Sequence, residues 1–430
     1  MDAMKGPGGC FALLALLPLA AVSAGAPARA LEDVVSVGSF SLGVAGYIEG
    51  RVIVSGETQS WEDGGLGKVR YGSTSGARVL ARAEGALVLE PKFGFDWSGT
   101  VVLSANDQQR TGADVTEAFL QYKPVPTHEV GFKAKLGAFF PPISQENNGI
   151  AWTSPYTITS SAINSWVGEE LKTIGGEGTL FHRGADMEVS LTGAIHGAND
   201  PTGTLLAWRG WSFNDRETGF FDRLQLAQIR IIKPPTGKLS TQAATEKPFH
   251  EIDNRYGYYV GLTADHDTYG KVSVLWYDNR ADDHGFVKAQ WAWRTKFLSV
   301  GYKTQLPGDV DLIAQYMTGS TTVITIPKPT GPIVYTDYWS AYALVSKEWG
   351  NNRISARGEY FATKDKDRFA DNNNEHGMAL TLAYIYRPSA NQRLTIELLN
   401  VSSRRPERVF MGLPAHAFET QTQASYRFFF

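Results

Sequence analysis

Charged side chains recur on every second position in several stretches of this 430-residue chain. Across residues 78–90, Arg78, Arg82, Glu84 and Glu90 share one parity, whereas Val79, Ala81, Ala83, Leu87 and Leu89 share the other. Lys133 and Lys135 alternate with Phe132, Ala134 and Leu136. Asp186 and Glu188 alternate with Met187 and Val189, and Arg353, Arg357 and Glu359 with Ile354, Ala356 and Tyr360. Glu49, Arg51, Asp96, Arg294 and Arg427 extend the set. Taken singly, each is a solvated charge paired with a neighbour. Together, lining an aqueous lumen, they would create a transverse field that sorts ions and polar solutes without breaking a bond. Covalent chemistry has little to stand on. No G-x-S-x-G, H-E-x-x-H or phosphate-cradling glycine loop occurs. Asp265-His266-Asp267 and the Asp278–His284 run sit at strand ends, without the spacing of a calcium loop. We therefore assign no catalytic residue, metal or cofactor. An outer-membrane hydrolase of lipase or protease type, and a plugged structural or adhesive barrel, are the rival readings.

The elements that carry these residues have period 2, so one face is polar and the other apolar. The segments run nine to thirteen residues, longer than an ordinary globular strand and the length of a tilted membrane-spanning one. No window shows a sustained helical period. Compact turns at 123–128, 182–184, 306–309, 350–352 and 388–391 alternate with long stretches at 56–77, 140–168, 197–253, 318–334, 363–375 and 403–416. Turns short on one side and long on the other describe an all-β transmembrane antiparallel barrel. Pairing from the C-terminus backwards gives about 16 strands, at 43–55, 78–89, 93–103, 114–122, 130–139, 169–181, 185–196, 254–265, 269–278, 286–304, 309–317, 335–348, 351–362, 376–387, 391–402 and 417–430. The parity switch inside 286–304 allows a second count of 18, which requires Leu224–Ile232 to be a strand. With 16, residues 197–253 form one large extracellular insertion.

Composition agrees. The net charge of -3 offers no basic field for nucleic acid. After the first 25 residues no uncharged run is long enough for a spanning helix, and the mean hydropathy is -0.22. Lys5, an apolar stretch from Phe11 to Val22 and Ala28-Arg29-Ala30 have the order of a secretory signal peptide cleaved near Ala30. The single cysteine, Cys10, lies within it, so the exported chain has no disulfide or thiolate site. Residues 31–430 then form a single barrel domain.

A barrel of this width is not filled by its own wall. Residues 140–168 are too apolar to float in water and carry Trp152, Tyr156 and Trp166 among amides and hydroxyls, with Glu146 and Asn147 near the start. We expect this loop to fold inward as the constriction. Leu136-Gly137-Ala138-Phe139-Phe140-Pro141-Pro142 with Glu146 resembles the strand-to-loop corner of the phosphate-selective porin O and P superfamily. The resemblance covers the barrel layout and, in motif, this corner and the C-terminus. It implies a passive porin for small hydrophilic solutes or anions in the outer membrane of a Gram-negative bacterium, as a monomer or homotrimer. One departure matters: no Lys or Arg lies between Phe139 and Gly168, so any anion donors must come from the wall, from residues such as Arg78, Arg82, Lys133 and Lys135.

At the chain end, Phe418, Ala424, Tyr426, Phe428 and Phe430 share one face, with Glu419, Gln421, Gln423, Ser425 and Arg427 on the other. A closing strand that stops on an aromatic residue resembles the signature by which outer-membrane proteins are handed to the barrel assembly machinery. Replacing Phe428 and Phe430 with Ser is expected to lower the yield of folded barrel several-fold, measured by heat-dependent gel mobility. Equal yield would leave the terminal aromatics without a role in assembly.

Overall fold

The alternating segments form sixteen antiparallel strands that close on themselves. They are β1 Phe40–Ser55, β2 Arg78–Phe93, β3 Trp97–Asn106, β4 Ala113–Tyr122, β5 Val130–Phe139, β6 Thr173–Arg183, β7 Met187–Gly197 and β8 Gly257–His266. There follow β9 Gly270–Asp278, β10 Arg294–Leu306, β11 Val310–Ile326, β12 Gly331–Trp349, β13 Asn352–Asp365, β14 Glu375–Ser389, β15 Gln392–Arg404 and β16 His416–Phe429. This computed structural model describes residues 32–430 apart from 75, 232–236, 327–330 and 370. The segment read as a signal peptide, with Cys10, lies outside the described residues.

Closure comes from β1 pairing with β16, in register from Tyr47↔Phe429 to Ser55↔Gln421. The last residue takes part: the Phe430 amide donates to the Gly46 carbonyl (3.1 Å), and the Gly46 amide donates back (3.0 Å). A Cβ at Gly46 would lie 2.6 Å from the Phe430 ring and 2.4 Å from the Ala86 carbonyl, so only glycine permits this approach. A short strand, Glu32–Val37, pairs with the start of β1 and continues the line of β16 along the same edge.

Outside, β12 shows the height of the wall's apolar face. Between Asp337 and Lys347 its outward residues are Trp339, Ala341, Ala343 and Val345. Ten residues at roughly 3.3 Å each, tilted roughly 40°, cover about 25 Å, the height of an outer-membrane apolar band. At the short-turn end, the link between β10 and β11 places Gly308 at φ 84° and Asp309 at φ 58°, as a tight hairpin requires.

The sequence reading goes wrong at three strand starts and one loop: the strand expected at 93–103 begins at Trp97, and the stretch expected as a loop at 318–334 is mostly strand, β11 running to Ile326 and β12 starting at Gly331. The strand expected at 169–181 begins at Thr173, because Ala162–Glu170 is a helix (α1) whose preceding Ser161 accepts a hydrogen bond from the Asn164 amide (3.3 Å). Every residue of α1 is buried, so it carries no apolar stripe to betray it. The strand expected at 286–304 begins at Arg294. Residues 286–291 form a separate hairpin that turns at Lys288 (φ 50°) and Ala289 (φ 60°). The alternative of 18 fails as well: Leu224–Gln225 pairs only with Thr245–Glu246, away from the wall.

Gly175 on β6 lies so close to β7 that an added Cβ would sit 2.1 Å from the Ile195 carbonyl. Gly175→Val is expected to destabilise the barrel by about 1–3 kcal/mol, seen as a lower urea midpoint. An unchanged midpoint would mean that the two strands part without cost.

Candidate functional site

Pro141 and Pro142 end β5 and turn the chain into the barrel, where the segment to Leu171 is held by charges on the opposite wall. Arg357, on the inner face of β13, is fully buried. Its Nε donates to Glu359 (2.6 Å), and its Nη1 donates to Glu146 (2.9 Å) and to the Thr159 carbonyl (3.0 Å). Glu146 also accepts from the Ser161 amide (2.7 Å) and the Asn164 side chain (2.8 Å), while Glu359 accepts from the Ala162 amide (2.9 Å). Two carboxylates thus meet the N-terminal turn of α1, where unpaired amides and the helix dipole favour negative charge. Glu397 of β15 accepts from the Ile158 (2.6 Å) and Thr159 (3.1 Å) amides. Asn147 donates to Ser160 (3.0 Å), and Trp152 stacks on Phe140 with centroids 4.3 Å apart. Arg353 lies over the Tyr156 ring at 5.0 Å and bonds Asp311 at 3.2 Å. Trp166 packs edge-on against Trp211, Phe297 and Tyr338.

Trp211 shows that the 197–253 segment does not stay wholly outside. Its indole donates to the Ala362 carbonyl (3.0 Å). Asp215 follows, accepting from Arg51 (2.7 Å) and Arg70 (2.8 Å), while Glu84 accepts from the same two guanidiniums (3.2 and 3.0 Å). Burial pushes the Asp215 carboxyl up, but Arg51 and Arg70 prevail and hold it well below the usual carboxylate range. Lys172 ties the two inserted segments together. Its ammonium lies 4.6, 5.3 and 4.7 Å from the rings of Phe140, Phe220 and Phe249 and donates to the Thr218 carbonyl (2.9 Å); burial lowers it to about 8.

The filling is one-sided. Along β12–β16 inward residues are almost all buried, whereas β2–β7 keep many inward positions half-exposed. Arg82 pairs with Asp107 at 3.1 Å. Lys135 lies 3.8 Å from Glu177, a carboxylate that also accepts from the Tyr259 hydroxyl (2.5 Å), and stands over the rings of Phe119 and Phe139. Lys133, half-exposed on the same face, makes no side-chain hydrogen bond or ion pair among the described residues.

The predicted residues therefore sort into three groups. Arg51, Glu84, Arg357 and Glu359 join Glu146, Asn147, Trp152, Tyr156 and Trp166 in packing the inserted segments. Arg82, Lys133 and Lys135 line the open side. Others sit at the margins: Arg78 meets Asp63 at 3.5 Å near the long-loop rim, Glu188 meets Arg183 at 2.6 Å near the short turns, and Asp96 belongs to a turn. Arg294 is a correction. It is exposed and shares the outward parity of Lys296 and Leu298, because the 286–291 hairpin breaks the alternation that had placed it inward. Tyr426 and Phe430 are outward and exposed, and Phe428 is half-buried. Sequence reasoning missed Arg70, Lys172 and Asp215, which lie in loops, and Glu397, whose parity it shares with Thr395 on one side and Leu399 on the other.

No protein-family model and no curated protein matches this chain. Solved structures match its fold. The outer membrane channel DcaP of Acinetobacter baumannii aligns with a TM-score of 0.55 at 9% identity, covering 93% of this chain and 100% of that one. A loop L8 deletion mutant of OmpT, an outer membrane protein of Vibrio cholerae, aligns at 0.51 and 9% identity over 91% and 100%. Salmonella typhi OmpF in complex with daunomycin aligns at 0.50 and 10% identity over 91% and 98%. The chain has a porin fold; the resemblance to the phosphate-selective superfamily rests on its layout and on the residues of its corner motif and C-terminus alone.

Removing Arg357 would leave Glu146 and Glu359 buried and uncompensated. Arg357→Ala is expected to cost about 3–5 kcal/mol, measured by thermal or urea unfolding, and to make single-channel current noisier as the loop loosens. A variant as stable as the parent would show that the loop is held by its packing alone.

Proposed function

We propose that this protein is an outer-membrane porin through which small hydrophilic solutes diffuse, with a preference for anions. The observation that carries the reading is Lys133, a half-exposed inward ammonium with no ion pair among the described residues, next to Lys135 on the open side of the lumen. Solutes pass between the half-exposed faces of β2–β7 and the inserted segments, and size exclusion is set by those segments. Selectivity belongs to the solvent-facing wall cations, Lys133 above all with Lys135 and Arg82, since Arg357 and Arg51 are saturated by carboxylates. That division also answers the absence of Lys and Arg from the 140–168 loop: the wall supplies the donors. An export signal, assembly by the barrel machinery and a homotrimeric or monomeric state complete the reading.

The extent of the filling favours one second reading, a plugged barrel that anchors or adheres. A hydrolase has less support: the Ser402 hydroxyl and His416 ring are 3.1 Å apart, but both lie on the outward parity of their strands, away from the lumen. Planar-bilayer recording separates these readings, because a porin gives discrete conductance steps and a plugged barrel gives none. Lys133→Glu with Arg82→Glu is expected to move the reversal potential in a salt gradient toward cation selectivity, and added phosphate is expected to reduce chloride current in the parent only. A reversal potential that stays put would remove this face of the wall from the selectivity region.

A further inference from the structure

The outward position of Arg294 opens onto a larger feature. Its neighbour Lys296 is also exposed and outward, and so are Lys364 at the end of β13 and Arg404 at the end of β15. None of these four side chains makes a hydrogen bond or ion pair among the described residues, although Asp278 and Asp337, also of outward parity, stand in register with Lys296 and Lys364, and Asp337 pairs with Lys366 at 3.3 Å. His376 and His416 flank Arg404 in register, one on each neighbouring strand. All six lie at the long-loop end of their strands. Toward the short turns the outward residues become apolar or aromatic on four of the five strands: Leu298 on β10, Ala362 and Tyr360 on β13, Met378 on β14 and Phe418 on β16, whereas on β15 Ser402 and Asn400 precede Leu398. Trp339 stacks on Tyr360 at 4.9 Å, and Tyr316 is 6.3 Å from Trp339, as in an interfacial aromatic girdle.

The belt covers part of the circumference only. At the same end of β1, β2, β6 and β7 the outward residues are Val54, Val79, Ile174 and Ile195. Random surface charge would not spare those strands. Unpaired cations just beyond an aromatic girdle stand at headgroup depth, where lipid phosphates are the complementary charge and arginine offers a planar fork to them.

We infer that the outward basic belt on β10 and β13–β16 binds the phosphate groups of the phosphorylated glycolipid of the outer leaflet. The inference rests on the outer-membrane placement proposed above, not on conduction. The belt lies at the rim away from the short turns, which puts the long loops at the cell exterior.

The test uses the full exported chain, refolded in detergent, with native mass spectrometry reading its binding of bis-phosphorylated lipid A. The variant combines Arg294→Gln, Lys296→Gln, Lys364→Gln and Arg404→Gln. Each charge near an anionic surface adds a modest, salt-screened attraction, so the variant should bind at least about tenfold more weakly. Lys347→Gln, outward at the short-turn end, should bind as the parent does. Should the fourfold variant misfold, as judged by gel mobility, Arg294→Gln/Lys296→Gln and Lys364→Gln/Arg404→Gln are measured separately, each losing about threefold. Equal binding by parent and variant, equal affinity for dephosphorylated lipid A, or full competition by phosphatidylglycerol would each overturn the proposal. Vesicle flotation scores membrane placement independently, so a chain that fails to float rejects the location and not the belt.

Discussion

The interior of this barrel depends on a single buried guanidinium. A sixteen-stranded wall encloses more space than its own side chains fill, so the inserted segments must lose their water and still satisfy their backbone. Arg357 makes that tolerable by bridging a wall carboxylate, Glu359, and a loop carboxylate, Glu146, each of which also receives an amide from the start of α1. Buried ion pairs stabilise only when their remaining hydrogen-bonding capacity is met, and here it is met by the helix terminus. With α1 fixed, Trp166 reaches the aromatic cluster of Trp211, Phe297 and Tyr338, and that cluster seats the second inserted segment.

Because the pinning charges sit on β13–β16 and β1, the inserted mass leans to that side. The opposite arc, β2–β7, keeps water against its inner face. A charged wall therefore has two kinds of charge: those neutralised by the inserted segments, which give shape, and those left facing solvent, which give a field. Lys133 and Arg357 are both basic residues on inward parity, yet only the first has its electrostatic influence available to the open side of the lumen.

Much of the architecture was legible because alternation survives wherever a strand has lipid on one side and water or protein on the other. The count of sixteen strands and their approximate positions could be read that way, although β11 and β12 take up much of the 318–334 stretch expected as a loop. Parity tells which face a residue takes, but not what it meets. Nothing local distinguishes Arg357 from Lys133, and Asp215 finds Arg51 across 164 positions of sequence. The helix α1 escaped because burial on all sides erases periodicity. Arg294 escaped because two residues with positive φ reset the alternation just before it.

The meeting of Phe430 with Gly46 has a consequence for how the chain is made. Every other strand pair in the wall joins consecutive strands, most of them close in sequence, with β5–β6 and β7–β8 spanning the inserted segments. β1 and β16 alone must wait, since the seam cannot shut until both are present. Until that pair forms, the sheet has two raw edges, each a template for unwanted pairing with other chains. Timing, more than contact strength, then sets the period during which this protein is vulnerable, and shielding of those edges would matter most just before β1 meets β16.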